Sequence, residues 1–336
     1  MKMIKPEIKY CPGTLAEGFN DYSPSCLRNM FYGRKVSCLL PYDSPGAQGK
    51  DEEKFRENRT RISISGVQEK FSLLLEKNKL RLTNTGEQGS YILKPIPRDI
   101  MKINQVPANE HLTMQIAKQV YGIEVAENAL VFFNNGEPAY LTKRFDVKED
   151  ATKWGKEDFA SLAGKSLDNS GPNFKYEYSY EEMAVLIKKY VPAWRIEIEK
   201  FFSLVIFNFI FSNGDAHLKN FSLRETSDGD YRLSPAYDLL NSHIHVNYTD
   251  FALDRGLFEE GMKSSLLDHN RKPTRISFLE FAKRIGVKED RSLKIIEPFI
   301  QQQTKVKALV QRSFLDEPTK RGYLLLYNQK RNLLSK

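Results

Sequence analysis

FFSLVIFNFIFSNGDAHLKNFSL, residues 201–223, followed after a polar stretch by LSPAYDLL, residues 233–240, is the part of this chain whose reading decides the fold. The run 201–213 is apolar on every side and long enough for a buried helix, so it delivers the next residues to the protein interior. Those residues form a polar loop holding Asp215 and, five positions on, Asn220, and beyond the loop a second aspartate, Asp238, lies between apolar neighbours. Phosphoryl transfer is done largely by positioning and charge neutralisation. It needs a carboxylate beside the nucleophile and oxygen ligands that share Mg²⁺ with the phosphates of ATP. Asp215 is the candidate base, and Asn220 and Asp238 are the candidate Mg²⁺ ligands. Gly214 is expected to permit the turn out of the helix, and Phe221, Leu223 and Leu233 to anchor a hairpin with its polar tip at 225–230.

The Asp-x-x-x-x-Asn spacing is weak by itself, because Asp99–Asn104 and Asp168–Asn173 repeat it. Only the Asp215 copy comes after a buried apolar helix and precedes a second apolar-flanked aspartate. Working outward from it, residues 147–336 read as mostly helical, with helices expected at 157–163, 179–191, 196–211 and several from 277 onward. Residues 1–146 read as strand-rich. Residues 71–83 alternate about a polar tip as a hairpin does, 90–95, 129–133 and 138–145 are further strands, and a helix over 108–121 stops at Gly122. The expected fold is therefore α+β and bilobal, protein-kinase-like, with a β-rich N-lobe (1–146), a helical C-lobe (147–336) and ATP between them. Residues 1 to about 55 are expected to be a turn-rich extension of the first lobe.

In the N-lobe, SISGVQEK (63–70) is a candidate phosphate loop in which Ser65, Gly66, Val67, Gln68 and Lys70 would face ATP, although it is neither a Walker A sequence nor a G-x-G-x-x-G. Lys94, at the end of a strand, is placed to reach phosphates. Glu110, early on the next helix, would orient it. A strand-end lysine is otherwise simply solvated. In LTKRF (141–145), Lys143 and Phe145 would supply backbone groups to the adenine edge. His217 and Lys219, inside the Asp215 loop, are candidate phosphate contacts, since no histidine pair has the spacing of a metal site.

Composition narrows the function class. With 336 residues, 40% hydrophobic and 12% aromatic, the chain has the makeup of a globular protein, with no apolar run long enough to span a membrane and no apolar leader at its start. A cytoplasmic location and no membrane partner are expected. The cysteines, Cys11, Cys26 and Cys38, are too few and too oddly spaced for a zinc or disulfide framework. The net charge of +8 suits attraction to ATP or an acidic partner, and no nucleic-acid motif accompanies it.

SISGVQEK, YILKP, a helix opening with NEH, TKRFD, NGDAHLKNFSL and SPAYDLL occur in the order and spacing of the HipA-type serine/threonine kinases, toxins of bacterial toxin–antitoxin modules, which this chain resembles over about 61–240. The resemblance implies that Lys94 contacts ATP phosphates, that Lys143 and Phe145 form the hinge, and that Asp215 is catalytic with Asn220 and Asp238 on Mg²⁺. It implies autophosphorylation at Ser63, with Ser65 as a second acceptor hydroxyl. It implies a protein substrate, an aminoacyl-tRNA synthetase (tryptophanyl or glutamyl), and a helix-turn-helix antitoxin through which alone DNA is met. Fewer residues precede the Gly-containing loop than in full-length members. That looks like the short form found in three-gene modules, where the missing N-terminal subdomain is a separate small protein. Two other readings stay open: a secreted or small-molecule kinase, and a nucleotide-binding pseudokinase scaffold.

Overall fold

The computed structural model describes residues 7–46, 53, 55, 69–97, 101–246 and 249–335. The chain divides into two compact units, and neither is continuous in sequence. The first comprises 1–116, 126–153 and 308–320, and the second 117–125, 154–307 and 321–336. In this division the end of one helix belongs with the second unit, and a short C-terminal stretch belongs with the first.

The first unit is built on an antiparallel sheet in the order β2-β1-β3-β5-β4, formed by β1 (Phe71–Glu76), β2 (Lys79–Leu82), β3 (Tyr91–Lys94), β4 (Asn128–Phe132) and β5 (Pro138–Lys143). Phe71 and Leu73 on β1 are fully buried while their neighbours are not, as the period of two requires. The β1–β2 pairing, Leu73 opposite Leu82 and Glu76 opposite Lys79, places the turn at Lys77 and Asn78. A helix over Val106–Tyr121 comes after β3 and ends where Gly122 takes φ +64°, a backbone that favours glycine.

The N-terminal stretch is more structured than its turn-rich composition suggests. It holds α1 (Pro24–Phe31), started by proline at its first position and by Ser23, whose hydroxyl accepts the Cys26 N–H at 3.3 Å. Phe31 is buried, and the hydroxyl of Tyr91 on β3 donates to Met30 O at 2.6 Å. Residues 38–40 pair with β4 through Phe132 N–H to Cys38 O and Leu40 N–H to Phe132 O, both 2.8 Å, covering an edge that would otherwise be open. The three cysteines are buried thiols. We label the Val106–Tyr121 helix α2.

The second unit carries α3 (Phe159–Leu162), α4 (Leu167–Ser170), α5 (Tyr180–Tyr190), α6 (Trp194–Ile210), α7 (Arg275–Ile285), α8 (Glu289–Ile300), α9 (Thr304–Arg312) and α10 (Glu317–Leu334); the last two share residues with the first unit. A small sheet, β6 (Lys156–Asp158), β7 (Ser222–Glu225) and β8 (Tyr231–Leu233), accompanies them. The helix expected over 157–163 thus begins as strand. Lys156–Asp158 pairs with β7, and only from Phe159 does the chain turn helical, capped by Asp158 on Ser161 N–H at 3.0 Å. The centre is α6, in which Phe201, Phe202, Phe207 and Ile210 are all fully buried. Helix α5 starts with a capping box between Ser179 and Glu182. Among the described residues no helix is long and apolar enough to cross a membrane.

Candidate active site

The loop after α6 is fixed on several sides. Phe211 closes the helix, and Asn213 returns its backbone N–H to Asn208 O at 2.8 Å and its side-chain amide to Asn208 Oδ1 at 2.9 Å, so a polar residue on the buried helix organises the exit. The turn itself is taken by Ser212, φ +52°, rather than by Gly214. A left-handed backbone costs a non-glycine residue roughly 1–2 kcal/mol. The buried Ser242 hydroxyl offsets this by donating to Ser212 O at 3.1 Å and accepting from Gly214 N–H at 2.8 Å. On the other side, the Tyr180 hydroxyl donates to Ala216 O at 2.8 Å.

Held this way, Asp215 presents a carboxylate whose Oδ1 accepts the Tyr176 hydroxyl at 3.0 Å. Burial raises its pKa above the usual carboxylate value, opposed by the nearby Lys175 charge and the Tyr176 bond and reinforced by Asp238. His217 Nε2 lies 4.0 Å from the same oxygen, and desolvation drops its pKa to about 3, so the ring is neutral at physiological pH. Its Nδ1 is buried with no hydrogen-bond partner among the described residues.

Asn220 and Asp238 meet directly. Asn220 Nδ2 donates to Asp238 Oδ2 at 3.3 Å, while Asn220 Oδ1 accepts the His217 N–H at 3.2 Å and keeps a second lone pair. Asp238 sits at φ +57°, a region Asp tolerates better than most residues. The Asn220 amide oxygen, with a lone pair to spare, and the Asp238 carboxylate are the kind of ligands that suit Mg²⁺, which takes few protein ligands and completes its shell with water and phosphate oxygens. Among the described residues no group of three His, Cys, Asp or Glu could hold a metal ion. Lys219 points its ammonium toward Asp158, 3.6 Å away. The other described copy of the spacing is unlike this one, since Asp168 is exposed on the short helix α4.

In the first unit, Lys94 Nζ contacts Glu110 Oε1 at 2.6 Å, with both side chains almost fully buried and the ammonium 5.3 Å from the Tyr140 ring centroid. The strand-end lysine is therefore not solvated. Lys143 commits its backbone N–H to Glu127 O at 2.8 Å, and its ammonium, 3.7 Å over the Tyr32 ring, bonds Asn29 O at 3.2 Å. Burial lowers its pKa. Phe145 lies in a turn after β5, and Lys70 lies just before β1. Ser63, Ser65, Gly66, Val67 and Gln68 lie outside the described residues.

Sequence reasoning missed Lys175, Tyr176, Tyr180 and Ser242. Each reaches the Asp215 loop from a distant stretch of chain, and no spacing within the loop signals them.

The family described as HipA-like C-terminal domain matches residues 62–307. A Haemophilus influenzae protein named as an inferred kinase is 29% identical over 287 residues, 82% of each chain. An inferred kinase of Sinorhizobium fredii is 32% identical over 230 residues, 63% of this chain and 53% of its own. Among solved structures, HipA of the Shewanella oneidensis toxin–antitoxin system, in complex with HipB and operator DNA, superposes with a TM-score of 0.60 at 18% identity, covering 87% of this chain and 72% of that one. The Helicobacter pylori proinflammatory kinase CtkA superposes with a TM-score of 0.52 at 15% identity, covering 81% and 93%. These likenesses establish a shared fold.

Proposed function

The chain belongs to the family of HipA-like C-terminal domains, and on that premise we propose that it is an ATP-dependent serine/threonine protein kinase acting as the toxin of a toxin–antitoxin module. The observation that carries the reading is the Asp215 loop: a carboxylate held at a fixed oxygen, with Asn220 and Asp238 joined at 3.3 Å beside it. Asp215 accepts the proton of the acceptor hydroxyl as phosphoryl transfer proceeds. Asn220 and Asp238 hold Mg²⁺, which when bound neutralises charge on the phosphates. Lys94, oriented by Glu110 at 2.6 Å, is the fixed cation of the first unit and is suited to phosphate oxygens. His217, neutral and with Nδ1 unpartnered among the described residues, offers a hydrogen bond to a phosphate oxygen.

The substrate we propose is an aminoacyl-tRNA synthetase, whose phosphorylation stops translation, with Ser63 and Ser65 as autophosphorylation sites that lower ATP affinity. The Shewanella complex with HipB and operator DNA supports a DNA-binding antitoxin as a partner. Expression in a bacterial host tests the reading. Growth arrest relieved by Asp215→Ala, with label from ATP appearing in a synthetase band, is expected. Equal toxicity of wild type and Asp215→Ala would replace transfer chemistry with a binding mechanism.

A further inference from the structure

The stretch Asn173–Tyr178 reaches the Asp215 loop from 39 residues away and touches it in three ways. Tyr176 donates its hydroxyl to Asp215 Oδ1 at 3.0 Å. Its ring meets the His217 ring edge-on, with centroids 5.2 Å apart and planes at 73°. The Lys175 carbonyl accepts the Leu218 N–H at 3.1 Å, and the Lys175 ammonium lies 4.9 Å from the Tyr176 ring centroid, adding positive charge to the same corner. The stretch is anchored from behind as well. Tyr176 N–H bonds Asn173 O at 2.8 Å, Tyr176 O accepts Asp254 N–H at 2.9 Å, and Tyr178 N–H bonds Asp254 Oδ1 at 2.9 Å.

A carboxylate turns easily about its last torsion, and a general base must meet its proton within about 2.6–3.2 Å. Resting on the reading of Asp215 as the base, we propose that Tyr176 is a positioning residue, whose hydroxyl pins Oδ1 and so presents Oδ2 to the acceptor hydroxyl. The backbone ties on both sides of Tyr176 are what make the pin stiff. They also distinguish it from a solvated tyrosine that happens to lie near a carboxylate. The bond comes from outside the loop, so the base is oriented by a separate piece of chain.

The test uses the full chain, labelled ATP and a desalted bacterial lysate as the source of acceptor protein. Tyr176→Phe keeps the ring and its contact with His217, and nucleotide titration with a fluorescent ATP analogue should show unchanged affinity. Turnover at saturating ATP should fall about tenfold, as expected for one lost hydrogen bond, with KM for ATP unchanged. In an Asp215→Asn background the same substitution should leave the residual rate unaltered. A wild-type rate in Tyr176→Phe overturns the proposal, and a faster rate does so by making the hydroxyl an obstruction instead. Full turnover in Asp215→Asn would sink the base assignment itself. An inactive Asp215→Asn beside an unaffected Tyr176→Phe would sink only the positioning role.

Discussion

Asp215 is kept ionisable in a place that disfavours its charge. Burial raises its folded pKa above the value in the unfolded chain. The folded protein therefore binds this proton more tightly, and stability attached to the group is gained as pH falls through the folded pKa and is missing at neutral pH. Asp215→Asn should leave only a small residual rate of phosphate transfer yet raise Tm by about 1 °C at neutral pH. The rise is small because the side chain is 34% exposed. In acid, where the wild-type carboxyl is protonated, the two melting curves should converge. Scanning calorimetry at two pH values checks this, and a Tm gain that persists in acid would remove the charge explanation. Lys94 and Glu110 pose the opposite case, a buried pair at 2.6 Å. Lys94→Met should destabilise the fold by about 3 kcal/mol by stranding the buried carboxylate. The double change Lys94→Met with Glu110→Leu should recover much of that in urea titration while transfer stays lost. Recovery of transfer together with stability would mean that the lysine serves the fold alone.

At the scale of elements, close approach sets the limits. A Cβ on Gly13 would stand 2.0 Å from Cys26 Sγ on α1 and 3.0 Å from its Cβ. Both residues are buried. Gly13→Ala should push α1 off its seat and cost about 1–3 kcal/mol, read as a lower urea midpoint, and an unchanged midpoint would show that the helix can slide freely. The hairpins β1–β2 and β7–β8 are legible in the sequence because alternation and polar tips act locally, and α2, α5 and α6 because apolar spacing does. Helix α1 is not legible, being eight residues long inside a proline-rich stretch. Strand β6 reads as helix in the sequence because its three residues are extended only through pairing with β7. In the candidate site, Asp215, Asn220 and Asp238 can be read from one short region of chain. Tyr176 and Ser242 cannot, since their roles exist only after distant segments pack. The turn expected at Gly214 falls at Ser212 because two hydrogen bonds, one donated and one accepted by the Ser242 hydroxyl, make the left-handed backbone acceptable there.

At the scale of the molecule, each unit is completed by a piece remote in sequence. Residues 308–320 belong to the first unit, where the Phe314 ring lies 5.7 Å from the Phe132 ring on β4. Residues 117–125 belong to the second, where Tyr121 stacks on Phe299 at 4.4 Å and 6° and Glu124 O accepts Ala236 N–H at 2.8 Å. A fragment ending at 153 should therefore bind an apolar dye and unfold with a shallow urea slope, because Phe132 loses its cover. Adding a peptide of residues 308–320 should reduce the dye signal. A steep, dye-free transition for the bare fragment would show that the first unit is complete without that stretch.

The late arrival of residues 308–320 has a consequence for biosynthesis. Ribosomes add about 5–20 residues per second, so between residues 153 and 320 the first unit waits roughly 10–30 s for its last piece. During that interval the strand bearing Phe132 remains a client for chaperones. A ribosome stalled anywhere in the helical stretch releases a chain with its first unit unfinished. Proteolysis of nascent chains arrested before and after residue 320 would show the change as a sudden gain of protection, so that a protein proposed to stop translation would itself depend on translation running past residue 320.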